Sequence, residues 1–466
     1  MLRHSRRVHF VGIGGTGMCG IAEVLINLGY EVSGSDLAQN EAVFRLRGLG
    51  AKIMVGHYPK NVEDVDVVGY SSAVTQENVE VAEARRRNIP AIRRAEMLAE
   101  LMRMKYSIAV AGTHGKTTTT SLVASVLAAA GLDPTVVVGG RLNAIGANAR
   151  LGAGEYLVAE ADESDGTFLN LLPTIGVVTN IDPEHLDFYG DFESLKRAFL
   201  EFANKVPFYG FSVVCLDHPT VQEMIPRMEK RFYTYGFGSQ ADYMGENYRY
   251  ADGRVIFTVR RRGEELGEIR LALPGRHNAD NALAAVAVAG ELDVPFEAVQ
   301  EGLSEFAGIS RRMERVGEGA GIVVMDDYGH HPEEIRVTLR ALKEAWPDRR
   351  LVVLFQPHRY SRTIHLGEAF HTAFYDSDVL FLAPIYAAGE EPVEGVDSET
   401  IGEGVRSHGH KNCEVVADLN DAVRRLRAEV HSGDLVLTLG AGDVWKASRE
   451  LLDHLRAQGS EAEEAG

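Results

Sequence analysis

The sequence predicts an α/β protein of three successive open-sheet units, and three observations carry that prediction. Apolar, strand-like runs alternate with helical segments along most of the chain. Two strand-to-helix junctions are glycine-rich: Gly12-Ile-Gly-Gly-Thr-Gly-Met18 and Gly112-Thr-His-Gly-Lys-Thr-Thr118. Polar clusters rich in carboxylates, histidines and arginines follow several later strands, where open α/β sheets bind ligands. A length of 466 residues suits about three domains of ~150 residues each. The boundaries expected are 1–106, 107–310 and 311–466.

Composition narrows the class. At 45% hydrophobic and 25% charged residues the chain is an ordinary globular protein. A net charge of -19 repels nucleic acid and anionic membrane, so neither is expected as a partner. An anionic ligand must then be held by local cations and backbone donors. Cys19, Cys215 and Cys413 are far apart, follow no ligand spacing and read as reduced thiols. No run approaches 18 apolar residues, and Arg3 to Arg7 lead directly into a strand, so a cytoplasmic location is expected.

The first unit opens with a strand ending at Gly12. Gly12, Gly14 and Gly17 form G-x-G-x-x-G ahead of a helix over 17–28, and a second strand, Glu31 to Ser35, finishes at Asp36. That spacing predicts a dinucleotide or other diphosphate site, with Asp36 near the ribose position. Further strands are expected at 65–70 and 91–92. Ser71 and Ser72 follow a strand end, where turn or cap chemistry and ligand contact are both open.

The second unit begins at a strand over 108–111 that runs into the Gly-Lys-Thr loop and a helix. Backbone N–H groups around Gly112, Thr113, His114 and Gly115 can face phosphate oxygens, and the helix dipole points at the same place. Lys116 would reach the terminal phosphates, and the hydroxyl of Thr117, beside Thr118, would ligate Mg²⁺. The loop is shorter than G-x-x-x-x-G-K-[ST], because position 110 is valine. Strands at 135–139, 156–160 and 175–179 fit a buried parallel sheet. Two of them end in acidic runs, Glu160-Ala-Asp-Glu-Ser-Asp165 and Asn180-Ile-Asp-Pro-Glu-His-Leu-Asp187, which suggests hard oxygen ligands for Mg²⁺. On softness grounds alone His185 reads as a surface histidine. Residues 232–271 look antiparallel, and a helix follows at Gly275 with Asn278 and Asn281 on one face.

A Gly- and Arg-rich linker, a hinge candidate, is expected at 307–318. The third unit then alternates strands at 322–325, 351–355, 379–382, near 415 and at 435–439 with helices. Asp326-Asp-Tyr-Gly-His-His-Pro332 and Gln356-Pro-His-Arg-Tyr-Ser-Arg362 follow its strands. Arg359 and Arg362 can fork onto a carboxylate or phosphate. The acidic tail from Gln458 is expected to lack regular structure.

Together these motifs resemble the Mur ligase family over nearly the whole chain. Family-level signs are Ala111-Gly-Thr-His-Gly-Lys-Thr-Thr118, the Asn180, Glu184-His185, Asp187 segment and Gly275, His277-Asn278, Asn281. The glycine opening, the 160–165 run and the 326–332 and 355–362 segments resemble the alanine-adding member. The resemblance implies a Rossmann-like N-terminal domain, a central P-loop ATPase-type domain and a C-terminal Rossmann-like ligase domain. It implies ATP, L-alanine and UDP-N-acetylmuramate as substrates, with an acyl phosphate as intermediate. It assigns Gly14, Gly15, Thr16, Gly17 and Met18 to the diphosphate, and Asp36, His57, Ser71 and Ser72 to the nucleotide. ATP falls to Gly112–Thr118 with Asn278 and Asn281, and two Mg²⁺ ions, replaceable by Mn²⁺, to Thr117, Glu160 and His185. Tyr328, His330, Arg359 and Arg362 lie by implication near the muramoyl group and the amino acid, with His330 a proton acceptor or a binding group. Catalytic roles fall to Lys116, Glu160, His185 and His330. Monomer and homodimer are both compatible. The alternatives are a recycling member that takes a tripeptide, and a nicotinamide-dependent oxidoreductase fused to an ATPase.

Overall fold

The computed structural model describes residues 6–71, 73–142 and 147–464, and its strands form three sheets. The first sheet contains β1 (Arg7–Val11), β2 (Glu31–Asp36), β3 (Lys52–Val55), β4 (Val67–Tyr70) and β5 (Ala91–Arg93). Its order is β3-β2-β1-β4-β5, with all four pairs parallel. Winding therefore reverses at β1. The carboxyl ends of β1 and β4 open a crevice there, where Gly12–Met18 and Ser71 emerge.

The second sheet contains β6 (Tyr106–Ala111), β7 (Thr135–Leu142), β8 (Ala147–Arg150), β9 (Tyr156–Glu160), β10 (Ile175–Val178) and β11 (Phe211–Cys215). It continues through β12 (Phe232–Gly236), β13 (Tyr243–Ala251), β14 (Arg254–Arg261) and β15 (Glu264–Leu271). β6 lies between β10 and β9 and is parallel to both. The phosphate loop thus leaves the centre of a buried sheet, with both acidic runs at neighbouring strand ends.

The third sheet contains β16 (Glu314–Gly319), β17 (Ile322–Asp327), β18 (Leu351–Phe355), β19 (Val379–Leu382), β20 (Cys413–Val415) and β21 (Leu435–Leu439), in the order β16-β17-β21-β18-β19-β20. The layering follows from residue alternation. Leu351, Val353 and Phe355 of β18 enter one core, whereas Val352 and Leu354 enter another. A strand apolar on both faces is buried on both, as a doubly wound sheet requires. By contact the chain divides into two units. One holds most of the chain up to Ala307; the other holds Gly308 onward together with Arg249–Val255 and Ala272–His277.

Three expectations need correction. Half of the expected linker is the antiparallel edge strand β16. Its glycines serve close packing rather than flexibility: a Cβ on Gly317 would lie 2.6 Å from Leu452 Cδ2. β12 and β13 pair in parallel, not antiparallel. The tail continues the helix Trp445–Glu464, since alanine and glutamate are good helix formers.

One buried polar network underlies the first sheet. Glu80 is fully buried and accepts from Ser35 Oγ at 2.5 Å, Asn61 Nδ2 at 2.5 Å and the Tyr58 N–H at 3.1 Å. His9 Nε2 stands 3.5 Å away. Burial pushes the Glu80 carboxyl up, but the nearby His9 imidazole and the hydrogen bonds from Ser35 and Asn61 outweigh it and bring the group down to about 2. A depressed carboxyl stabilises the fold above its unfolded pKa, and that stability is lost as pH falls towards 2. The Glu80→Gln variant is therefore expected to lose about 2 kcal/mol near neutral pH and to show a flatter stability profile between about pH 4.5 and 2. Urea unfolding across that range checks this; an unchanged slope would contradict it.

Candidate functional site

The phosphate loop is clamped by the strand beside it. Gly112 has φ +146° and Gly115 φ +80°, conformations that favour glycine. A Cβ on Gly112 would lie 1.9 Å from Thr179 Oγ1, and one on Gly115 would lie 2.6 Å from Asn281 Oδ1. The Thr113 N–H donates to Asn180 O at 3.1 Å, and the His114 N–H to Asn180 Oδ1 at 2.7 Å. Thr179 Oγ1 donates to His114 O at 2.7 Å, and the Asp182 N–H to Thr113 Oγ1 at 2.9 Å. The loop is therefore rigid before any ligand arrives. Helix Lys116–Ala129 starts directly from it, with Thr117 and Thr118 buried in its first turn. Asn281 Nδ2 donates to Asn278 Oδ1 at 3.3 Å, and Thr119 Oγ1 to Asn281 Oδ1 at 3.1 Å. The two asparagines thus back the loop as a pair.

Lys116 folds over its own loop. Nζ donates to Gly112 O at 2.5 Å and Thr113 O at 3.0 Å, and both Glu163 carboxylate oxygens lie 2.9 Å away. Burial pushes this amine down, but the Glu163 and Asp162 carboxylates outweigh burial and hold it above the usual lysine range. His185 adopts φ +55°, rare for a side chain with a Cβ. That turn brings its Nε2 to 3.9 Å from Glu163 Oε1 and 3.7 Å from Glu184 Oε2. Ligand atoms of Glu163, Glu184 and His185 all fall within 4.8 Å of one another. Glu160 Oε1 is buried, with no hydrogen-bond partner among the described residues. The carboxylate–imidazole cluster fits a divalent cation, and a buried carboxylate oxygen without a partner, as at Glu160, calls for one too. Glu163 and Glu184 were missed in the sequence, although both stand in the quoted acidic runs.

At the first glycine loop, Asp36 Oδ2 accepts from the Gly14 N–H at 2.8 Å, and Asn40 Nδ2 donates to Gly14 O at 2.9 Å. Asp36 holds the loop in place. Gly15, Gly17, Met18, Ser71 and Glu160 line a cavity of about 210 Å³, with Arg94 as its cation. Arg94 Nη2 lies 3.1 Å from Asp162 Oδ2. A Cβ on Gly17 would lie 2.9 Å from Arg94 Cδ, so that glycine admits the arginine. Nothing in the motif pointed to Arg94. Ser71 Oγ accepts from the Ala73 N–H at 3.3 Å, the turn chemistry left open above. Thr16 opens helix Thr16–Asn27, and Ser72 lies outside the described residues. His57 Nδ1 lies 2.9 Å from Ser35 Oγ, whose own proton goes to Glu80. His57 must therefore donate from Nδ1.

In the second unit, Tyr328 lies between two guanidinium groups, Arg311 at 5.0 Å and Arg312 at 5.1 Å from its ring centre. His330 meets it edge-on at 5.6 Å. Arg359 is exposed and holds φ +74°, a strained residue anchored by its N–H to Tyr386 O at 2.8 Å. Arg362 Nη1 bonds His358 O at 3.2 Å. His358, inside a quoted motif but given no role there, packs between His330 and Tyr386.

A clamped phosphate loop, a lysine among carboxylates and a second glycine loop on the adjoining sheet define a nucleotide-using α/β enzyme. Residues 7–106 match the Mur ligase family catalytic domain, 110–289 the Mur ligase middle domain and 311–442 the Mur ligase glutamate ligase domain. The chain belongs to the Mur ligase family. It is 57% identical over 450 residues to UDP-N-acetylmuramate–L-alanine ligase of Geobacter sulfurreducens, covering 96% of this chain and 97% of that one. The Geotalea daltonii protein of the same name is 58% identical over 97% of this chain and 98% of its own. Among solved structures, UDP-N-acetylmuramate–alanine ligase from Thermotoga maritima aligns with TM-score 0.83 at 30% identity over 97% of this chain and 99% of its own. A murein peptide ligase from Psychrobacter arcticus aligns with TM-score 0.70 at 25% identity over 97% and 98%.

Because any Cβ at position 112 collides with Thr179, the Gly112→Ala variant is expected to weaken ATP binding by at least about tenfold. Its unfolding temperature should shift by only a few degrees, about 1 kcal/mol in stability. Calorimetric titration with ATP beside a melting curve checks this; unaltered affinity would remove the clamp from the account.

Proposed function

We propose that this chain is an ATP-dependent amide ligase that joins L-alanine to the lactyl carboxylate of UDP-N-acetylmuramate, releasing ADP and phosphate, in the cytoplasm. The observation that carries the reading is Lys116 seated in the phosphate loop against Glu163, beside Glu184 and His185. The names of relatives at 56–58% identity support the substrates.

A free carboxylate is a poor acyl donor, so it must be activated. The lactyl carboxylate attacks the γ-phosphorus of ATP, and an acyl phosphate and ADP form. The amine then attacks the acyl carbon and phosphate leaves. Both partners of the first step are anions, so local positive charge decides its rate. Gly112–Thr118 take the phosphates through Lys116 and the N–H groups at Gly115 and the helix start, since the Thr113 and His114 N–H groups are given to Asn180, and Asn278 and Asn281 support the nucleotide end. Thr117, Glu160 and His185, with Glu163 and Glu184 alongside, would hold Mg²⁺, which Mn²⁺ can replace. Bound there, the cation supplies neutralisation of phosphoryl charge.

Residues 1–106 form the sugar-nucleotide domain in this reading, 107–310 the ATP domain and 311–466 the acceptor domain. Gly14, Gly15, Thr16, Gly17 and Met18 take the diphosphate, with Arg94 as the added cation. Asp36, His57, Ser71 and Ser72 take the rest of the nucleotide. Tyr328, His330, Arg359 and Arg362 take the muramoyl and amino-acid groups.

Phosphate release measured over an amino-acid and peptide panel tests this. Release should require UDP-N-acetylmuramate and L-alanine together; preference for a tripeptide would point to the recycling reaction, and release without an acceptor to a plain ATPase. The Lys116→Ala variant should stay folded and lose about 10³-fold in turnover. Near-normal release by that folded variant would remove Lys116 from the reaction.

A further inference from the structure

Two histidines meet ring to ring at the strand ends of the second unit. His330 and His358 have ring centres 5.8 Å apart. Each is held through Nδ1, by partners of opposite kind. His330 Nδ1 lies 3.1 Å from the Tyr328 carbonyl oxygen and 3.6 Å from Glu334 Oε2. A carbonyl and a carboxylate only accept, so Nδ1 carries the proton and the neutral ring keeps its lone pair at Nε2. His358 Nδ1 lies 3.2 Å from Arg362 Nη1. A guanidinium only donates, so here Nδ1 holds the lone pair and Nε2 the proton.

The surroundings fix both rings. Tyr386 stacks on His358 at 5.6 Å with planes 8° apart. Burial first, then neighbouring His330, Arg362 and Arg359, push the His358 imidazole down to about 4, so this ring is neutral near pH 7. Glu334 is itself pinned. Its Oε2 accepts from the His330 N–H at 2.9 Å and the His331 N–H at 3.2 Å, at the start of helix Pro332–Ala345. Its place there is that of a helix cap, yet the same oxygen faces the His330 ring.

We propose that the two rings are a tautomer-locked pair for the amine step: His330 Nε2 takes the proton of the incoming amine, His358 Nε2–H bonds the oxygen that gains charge, and Glu334 is the positioning residue for His330. The pair rests on the amino-acid site assigned above to the second unit. As the C–N bond forms, the carbonyl π pair moves onto oxygen and the amine proton passes to His330. When the tetrahedral intermediate collapses, the C–O bond to phosphate breaks and phosphate leaves with the bonding pair. Neither tautomer could exchange roles with the other, because a base needs the lone pair and a donor the proton on the nitrogen at the reaction site.

The test separates the two half-reactions in the full-length protein. Hydroxylamine, uncharged at neutral pH, captures the acyl phosphate as a hydroxamate without an enzyme base. In the His330→Gln variant the ratio of alanine product to hydroxamate should fall at least about 100-fold. Glu334→Gln keeps a capping oxygen and should lower that ratio about tenfold with the KM for L-alanine unchanged, and should cost nothing more in the His330→Gln background. A glutamine amide can occupy the place of Nε2–H and an asparagine amide that of Nδ1, so His358→Gln should turn over at least about tenfold faster than His358→Asn. Parallel loss of hydroxamate and alanine product, additive losses in the double variant, or equal rates for the two His358 variants would overturn the pair. If the unaltered chain makes hydroxamate but no product with L-alanine, the acceptor assignment itself fails and the proposal with it.

Discussion

The interlock between the phosphate loop and the strand end at Thr179–Asp182 is the constraint on which the site depends. Hydrogen bonds run from both Thr113 and His114 to the strand end, reaching Thr179, Asn180 and Asp182. They fix the loop backbone in one course, so little conformational entropy remains to be lost on binding. The same interlock places the second acidic run, with His185, beside Lys116. Removing a Cβ at two positions is the local requirement, and both positions are glycine. Everything at this end of the sheet, including the carboxylates gathered round Lys116, follows from the loop lying against that strand.

The electrostatics divide in two. The chain as a whole is strongly acidic, yet its candidate ligands are anions. Attraction must come from short-range groups: helix ends, loop N–H groups, Lys116 and Arg94 in the part of the chain up to Ala307, and Arg359 and Arg362 in the part from Gly308. Buried carboxylates beside Lys116 keep it charged and leave oxygen atoms facing one another. Like charges so placed call for a cation between them. Beyond Gly308 the protons of His330 and His358 are arranged by hydrogen-bond partners, the Tyr328 carbonyl and the Arg362 guanidinium.

Much of this was legible in the sequence. Strand-to-helix alternation specified the three sheets, and the Gly-Lys-Thr run located the loop at a central strand, because these signals are local. What escaped depends on side-chain direction across sequence distance. Glu163 and Glu184 sit in runs whose acidic nature was plain, but a run does not reveal which oxygen turns towards Lys116. Arg94 reaches the first glycine loop from the helix Arg94–Met102, permitted by Gly17, and no motif encodes that approach. His358 directly precedes the two arginines of its motif, and its role depends on which ring atom Arg362 meets. β16 was read as a linker because glycines that allow close packing and glycines that allow bending look alike in a sequence.

The central claim is that the loop at 112–118 delivers the γ-phosphoryl group to a carboxylate before the amide forms. UDP-N-acetylmuramate carrying ¹⁸O in both lactyl carboxylate oxygens tests this most directly, with mass analysis of the phosphate released during ligation of L-alanine. The account expects one ¹⁸O atom in each phosphate and the other in the amide carbonyl. Phosphate free of label, formed together with the amide, would contradict it.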